Sequence, residues 1–464
     1  MSLTALRRHG GVATANRAPG KGVAPRAECH IVAVPGREDT WVIYFPLQSL
    51  AFLANREAAE LCKAMREGNV RGKTKAQREL IAFLEGVGVT GNAPERKPSP
   101  FRCTEPVPTA TLLLPSDRCN LACRYCYSSA GKRGALMQWE TARAAIDIII
   151  ENCRKLQRKQ TTLGFHGGGE PTCAWDIVTR SVEYARSEGA KHGIRIITSI
   201  CTNGIMSRGR ARWLSEHIDN IAVSFDGTPD LQNRLRPTAD NGQSYPILER
   251  TVSQFDSVNK AYGFRVTVTA DSQERIEEIY EHCTSAFRPS MVCIEPLFFC
   301  GRCLTGTCRP PAAEHFARGV KRIMDRAAQG ETAVQYSGGR LAYLGTAFCG
   351  ASRDNFFVTP AGLVTSCVEV TSNDDPRSSL FVYGKLDAPD GRFAFNTDRY
   401  AKLIAYHTER FDSCRDCFAR WHCCGDCLAK APDMTRILDK RNSFRCTVNR
   451  DITLHQLLAK LDTR

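Results

Sequence analysis

The sequence predicts an α/β protein built on a partial (β/α)6 TIM-like barrel, with a small β+α module before it and a cysteine-rich region after it. Three observations carry this. Six β-type runs between Thr109 and about Gly330 (TATLLLP, TTLGFHG, IRIITSI, NIAVSFD, FRVTVT and MVCIEPL) are each followed by an amphipathic segment, the signature of a parallel sheet covered by helices. Upstream, two β-rich runs precede two helical stretches. Downstream the alternation stops and the chain becomes loop-rich, with short strands such as NFFVTP and LVTSC and cysteines in dense groups up to Cys446.

In chain order, residues 1–27 are rich in Gly, Ala, Pro and Arg without periodicity, as expected of a mobile tail. Residues 28–92 form the β+α module: HIVAVP and TWVIYF read as strands, and the second helix opens with a Thr74/Gln77 capping box. Leu61, Cys62 and Met65, then Leu80, Ile81 and Leu84, recur at helical spacing and predict its core; Gly86 and Gly88 end it. Residues 93–108 hold five prolines and read as a linker. The barrel spans 109–330, and its first long helix shows one apolar face of Ala142, Ile146, Ile149 and Cys153. Residues 331–446 lack an obvious large apolar core, so metal clusters are expected to supply the cross-links that burial does not. A C-terminal helix is expected over 447–464.

Composition narrows the class. The 464 residues are 42% hydrophobic and 24% charged, as in an ordinary globular protein. No apolar run approaches the roughly 18 residues a membrane span needs, and the N-terminus lacks a secretory h-region, so a cytoplasmic protein is expected. Twenty-two cysteines in C-x2-C-type spacings then read as metal ligands of a reduced protein rather than disulfides. The formal charge of +14 is spread along the chain without a nucleic-acid motif, so neither nucleic acid nor membrane is an expected partner.

The most specific motif is CNLACRYC, with Cys119, Cys123 and Cys126. Three thiolates leave one iron of a 4Fe-4S cube open to a chelating ligand; a zinc knuckle would recruit a fourth Cys or His nearby, and none follows within a dozen residues. The second strand ends in Gly167-Gly168-Gly169-Glu170-Pro171, where glycines let backbone approach a ligand and a carboxylate can accept from an amine. The third ends in Ser199-Ile200-Cys201-Thr202-Asn203-Gly204 and the fourth in Ser224-Phe225-Asp226-Gly227, with Arg234 and Arg236 beyond. Taken singly, these last segments also suit ordinary turns and a helix cap.

Together these motifs resemble the radical S-adenosylmethionine (SAM) enzymes, over about residues 109–446. The resemblance implies that Cys119, Cys123 and Cys126 hold a 4Fe-4S cluster whose fourth iron binds SAM, and that Tyr125, Gly168, Gly169, Glu170, Ser199 and Asn203 surround that cofactor. Cys201 departs from the pattern, where family members often carry glutamine. The later cysteines, Cys349, Cys367, Cys414, Cys417, Cys423, Cys427 and Cys446, match in order and spacing the seven-cysteine SPASM extension, which implies two auxiliary 4Fe-4S clusters and three per chain. By the family's pattern Cys414, Cys417, Cys423 and Cys446 hold the outer cluster and Cys349, Cys367 and Cys427 the inner one. Relatives often supply a fourth inner cysteine where this chain has Tyr343. Either that iron is open or another cysteine closes it, with Cys300, Cys303 and Cys308 available, and these three also read as a separate metal site or as free thiols. Cys424 reads as a bystander.

The sulfatase-maturing relatives carry an aspartate base directly after the cysteine matching Cys367; here it is Val368, with Glu369 displaced by one, which disfavours formylglycine formation. Candidate catalytic residues are Asp226, Arg236 and Glu369. The expected activity is reductive cleavage of SAM to a 5′-deoxyadenosyl radical that abstracts hydrogen from a peptide or protein substrate, forming a cross-link, thioether, epimer or oxidised residue. The implied partners are a flavodoxin or ferredoxin-type reductant and a peptide whose leader binds the N-terminal module, which resembles the winged-helix elements of peptide maturases. A brace for the barrel is the other reading of that module. The alternatives to the activity are a radical SAM enzyme acting on a small molecule and a non-catalytic iron-sulfur electron-transfer protein.

Overall fold

The computed structural model describes residues 27–68, 70–90, 97–387, 391–431 and 443–462. The expected tail and the start of the expected linker lie outside these residues.

The N-terminal module is a three-stranded antiparallel meander, β1 (His30–Ala33), β2 (Trp41–Phe45) and β3 (Leu50–Ala54), followed by α1 (Arg56–Glu67) and α2 (Lys75–Gly86). The third strand is an addition to the sequence expectation. Ser49 adopts a left-handed backbone (φ 52°) and turns the chain back within four residues, so the run after TWVIYF pairs with it instead of entering the helix. Asn55 caps α1 through a 3.0 Å bond from Ala58 N, and the Thr74/Gln77 capping box opens α2. Alternation along β2 splits its side chains. Ile43 and Phe45 pack with Leu61, Cys62, Met65, Leu80 and Leu84, whereas Val42 and Tyr44 pack with Phe418 and the C-terminal helix.

The six predicted barrel strands are present and parallel, each beside its predecessor: β4 (Thr111–Leu113), β5 (Gln160–Phe165), β6 (Arg195–Thr202), β7 (Asn220–Ser224), β8 (Tyr262–Val268) and β9 (Met291–Pro296). Helices α3 (Trp139–Lys155), α4 (Trp175–Lys191), α5 (Arg208–His217), α6 (Pro229–Leu235), α7 (Tyr245–Ser257), α8 (Ile276–Ala286) and α9 (Ala313–Ala327) alternate with them. The predicted face of α3 is fully buried.

Two expectations need correction beyond Gly330. The sheet does not stop there: β10 (Ala333–Gln335) pairs parallel with β9, and at the opposite edge β11 (Phe357–Val358) pairs parallel with β4. From β11 the chain continues antiparallel through β12 (Leu363–Thr365), the short α10 (Ser378–Phe381), β13 (Val382–Asp387) and β14 (Arg392–Phe395), making one eleven-stranded sheet. Nor does this region lack an apolar core. Phe356, Val358, Val364, Phe381, Tyr383 and Leu403 belong to the same buried cluster as the barrel helices. These short strands look weak alone because their burial comes from continuing an existing sheet. Beyond them come α11 (Thr397–Ile404), the single turn α12 (Arg420–Cys423) and α13 (Ser443–Asp462). Cys446 therefore lies inside the last helix, which starts earlier than the expected 447. No described helix is long and apolar enough to cross a membrane.

Candidate functional site

The three-cysteine loop leaves the C-terminal end of β4 and is fixed on all sides. Cys119 N donates to Gly131 O at 2.7 Å, Ala122 N to Pro237 O at 2.8 Å and Arg124 N to Leu235 O at 2.9 Å. Arg302 adds a brace from the segment after β9: its N donates to Cys126 O at 2.8 Å and its guanidinium to Ala130 O at 2.7 Å and to Cys123 O. A Cβ on Gly301 (φ 51°) would stand 2.2 Å from Tyr127 O, so glycine is required for this approach. The FFCGRCLTGTC segment thus clamps the loop. The sequence signalled its cysteines, but its arginine makes the contact.

The thiols of Cys119, Cys123 and Cys126 lie within one another's electrostatic field. Burial pushes the Cys119 and Cys123 thiols up, Cys123 to about 11; thiolates here need a cation, which iron supplies. Donors are aimed at the sulfurs, from Leu121 N at 3.4 Å and Asn203 Nδ2 at 3.6 Å to Cys119 Sγ, and Ser128 Oγ lies 3.3 Å from Cys126 Sγ. Such hydrogen bonds tune a cluster. No three described His, Cys, Asp or Glu side chains close around a single metal ion. The donor set suits a 4Fe-4S cube.

The glycine run after β5 locks onto this loop. Tyr127 and Ser128 hydroxyls donate to the carbonyls of Gly167 and Gly168, and Gly169 N and Glu170 N donate to Ser116 O (3.0 Å) and Arg118 O (2.8 Å). A Cβ on Gly169 would stand 2.1 Å from Arg118 O, whereas one on Gly168 meets nothing closer than 3.5 Å. Glu170 differs from expectation. Its buried carboxylate accepts from Thr202 Oγ1 (2.6 Å), Asn203 N (2.7 Å), Thr172 N (3.1 Å) and Thr172 Oγ1 (2.8 Å), joining the ends of β5 and β6. Burial raises its pKa despite these donors. The side chain ties the cradle together, and of the backbone groups at Gly168 and Gly169 it is Gly168 N and Gly169 O that these bonds leave unengaged.

Along β6, Ser199 and Cys201 are half-buried between buried Thr198, Ile200 and Thr202, so they face the concave side of the sheet. His166, just past the end of β5, acts electrostatically on Cys201. Burial alone raises that thiol, but His166 and then Arg265 outweigh it and bring it down to about 7. Neither His166 nor Arg265 was singled out from sequence. The signal was there: Arg265 is the single charge in the strand FRVTVT, and His166 abuts the glycine run.

Asp226 and Arg236 do meet, as a buried ion pair of 3.0 Å. Tyr125 donates to the same carboxylate oxygen at 2.5 Å, its ring packed with Leu235, Leu297, Cys303 and Cys308. The trio supports the cysteine loop from beneath, so the tyrosine hydroxyl is committed to Asp226. Cys303 and Cys308 are buried in that apolar cluster, and Cys303 Sγ donates to Cys308 O at 3.2 Å. Cys300 opens the turn that carries Cys303, whose N donates to Cys300 O at 3.1 Å, and Lys430 Nζ lies 3.8 Å from the Cys300 sulfur. Lys430 also pairs with Glu369 at 2.8 Å, and Arg377 holds the same carboxylate at 3.3 Å. Two cations therefore engage Glu369.

The later cysteines fall into two neighbourhoods. Cys367, Cys427 and Cys349 influence one another, as do Cys423, Cys414 and Cys417. Cys446 is half-buried on α13. Tyr343 is 37% exposed, while Cys424 is buried and donates to Trp421 O at 3.2 Å.

A run of parallel βα units with a three-cysteine loop on its first strand and a glycine cradle on its second defines a radical SAM domain, and residues 113–283 match the Radical SAM superfamily. Among relatives, the mycofactocin maturase MftC of Mycobacterium tuberculosis is 29% identical over 179 residues, covering 37% of this chain and 39% of that protein. The chain spans less than two thirds of the curated relatives it matches, between 36% and 57% of their length. Two solved structures share the fold. One is anSMEcpe with bound AdoMet and Cp18Cys peptide (TM-score 0.60, 16% identity, 77% of this chain and 100% of that one). The other is Streptococcus suis SuiB bound to precursor peptide SuiA (TM-score 0.51, 14% identity, 92% and 99%).

Proposed function

We propose that this protein is a cytoplasmic radical SAM enzyme that modifies a peptide or protein. The observation that carries the reading is the three-cysteine loop clamped against the glycine cradle at the mouth of the barrel. When bound there, a 4Fe-4S cluster and SAM supply a 5′-deoxyadenosyl radical for hydrogen abstraction. The chain's own part is to orient and enclose. Cys119, Cys123 and Cys126 hold the cluster, Asn203 and Leu121 N donate to its thiolates, and the backbone at Gly168 and Gly169 with Ser199 receives SAM. Asp226, Arg236 and Tyr125 are positioning residues under the loop.

Peptide modification is supported by the peptides in the two solved structures and by the description of one relative as a maturase. In this reading Cys349, Cys367 and Cys427 hold an inner auxiliary cluster and Cys414, Cys417, Cys423 and Cys446 an outer one, and a flavodoxin or ferredoxin delivers electrons. The N-terminal module recognises a leader segment of the substrate, and its docking on the outer-cluster region, through Tyr44 with His422 and Glu28 with Arg420 and Trp421, supports that role.

Anaerobically reduced, iron-reconstituted protein incubated with SAM is the test. Release of 5′-deoxyadenosine, lost when Cys119, Cys123 and Cys126 are replaced by alanine, is expected; zinc in place of iron, or turnover without the three cysteines, refutes the reading.

A further inference from the structure

Arg265 occupies the middle of β8, where Phe264 and Val266 enter the core beneath the helices and the guanidinium faces the opposite, water-accessible side of the sheet. Its lateral neighbours are Ser224 on β7 and Cys293 on β9. The charged and polar groups that act on it are Cys201, Cys293, Glu295 and Tyr127, in that order. Among the described residues none forms a hydrogen bond or an ion pair with its side chain. Glu295 is committed elsewhere, accepting from Ser337 N at 2.8 Å and Ser337 Oγ at 2.9 Å and lying 3.7 Å from Arg445. His166, across the lumen, is a second potential cation, and its Nδ1 accepts from Gly167 N at 2.9 Å.

Arg265 is solvent-exposed on this face of the sheet, so its rigid fork is open to make two parallel bonds to a planar oxyanion that enters the lumen. We propose that Arg265 anchors a carboxylate of the substrate inside the barrel, beside the Cys201–His166 pair. This rests on the barrel lumen being the substrate chamber of the proposed enzyme. The anchored carboxylate is an acidic side chain or the C-terminus of the peptide, and it fixes which residue is brought toward SAM. Arg265 is thus a residue of substrate choice.

Cys201 is the built-in reporter. Cluster-reconstituted full-length protein, without SAM, is treated anaerobically with iodoacetate or with iodoacetamide, and Cys201 labelling is followed by peptide mass spectrometry. Removing Arg265 also alters the thiolate itself, which affects both reagents alike, so the ratio of the two rates is the readout. Arg265→Gln is expected to lower the iodoacetate-to-iodoacetamide ratio about tenfold, the loss of one charge-assisted contact, and Arg265→Lys to restore most of it. N-acetylglutamate α-amide and N-acetylglycylglycine, as competitors against iodoacetamide, distinguish a side-chain from a terminal carboxylate; protection by either, absent in Arg265→Gln, supports the anchor. An unchanged ratio, or protection by neither compound, overturns it. So does a tenfold loss of SAM affinity in Arg265→Gln by equilibrium dialysis, which would assign the guanidinium to the cofactor's own carboxylate. Failure to release 5′-deoxyadenosine removes the radical reading but leaves the labelling ratio intact, so the two failures are separable.

Discussion

Arg236 Nε lies 3.0 Å from Asp226 Oδ2, and the same oxygen receives the Tyr125 hydroxyl at 2.5 Å. A buried cation, a buried carboxylate and the aromatic residue next to Cys126 are thereby joined in one network. Removing the carboxylate strands the guanidinium, so Asp226→Ala is expected to cost about 3–5 kcal/mol in urea unfolding. The double variant Asp226→Ala/Arg236→Met should recover part of that loss, because no unpaired charge remains.

The two adjacent glycines should respond differently. Gly169→Ala drives a methyl to within 2.1 Å of Arg118 O and is expected to lower both the unfolding midpoint and SAM binding, whereas Gly168→Ala finds room at 3.5 Å and should fold normally while binding SAM more weakly. Equilibrium dialysis beside thermal unfolding separates the effects, and an equal loss of stability in both variants would contradict the cradle geometry.

Arg302 reaches the carbonyls of Cys123 and Ala130 from a distant segment. Each charge-assisted bond of this kind contributes about 1.5–3 kcal/mol. Arg302→Ala should therefore leave the fold intact but loosen the cysteine loop. Faster loss of iron to a chelator is the expected measurement, confined to the SAM-binding cluster.

Cys201 should react with iodoacetamide along a pH curve centred at about 7, well below an ordinary thiol, because His166 and Arg265 outweigh the burial that raises it. Reactivity rises with pH through that point, since the thiolate is the nucleophile. In His166→Ala the midpoint should move upward. A midpoint unaffected by that substitution would show the pair to be uncoupled.

Glu28 ties the N-terminal module to Arg420 at 2.6 Å and to Trp421 Nε1 at 2.8 Å. Burial raises its pKa, yet its bonds with His30, Trp421 and Arg420 prevail and lower it. A depressed carboxyl stabilises the fold above its unfolded pKa, and that contribution disappears as pH falls through the folded value. Glu28→Gln should thus cost about 1–3 kcal/mol at pH 7, and the gap between variant and wild type should shrink once the wild-type carboxyl is protonated. Urea titrations at pH 7 and at a pH low enough to protonate the wild-type carboxyl check both.

Much of the architecture was legible because local pattern and fold agree. The six barrel strands, the α3 face and the Thr74/Gln77 cap were read from period and capping residues alone, and the structure places them accordingly. The misreadings share a cause. β3 was hidden because a single left-handed residue, Ser49, reverses the chain; NFFVTP and LVTSC are legible as short strands, but that β11–β14 continue the barrel sheet was hidden because strands of two to six residues gain their burial from distant neighbours, as when Thr111 Oγ1 donates to Phe356 O, 245 positions away. Within the site, motif spacing exposed the cysteines and glycines, but Glu170 was read as facing a ligand when it joins two strands.

By itself the sequence determined the order of the βα units and the residues that carry the cysteine and glycine motifs, because those depend on spacing along one strand or loop. Tertiary structure alone decided that Arg302 clamps the loop, that Tyr125 and Arg236 share one carboxylate, and that Arg265 faces the lumen without an ion-pair partner among the described residues. Those are relations between segments far apart in the chain, fixed by which oppositely charged or hydrogen-bonding groups are buried together, and no periodicity encodes them.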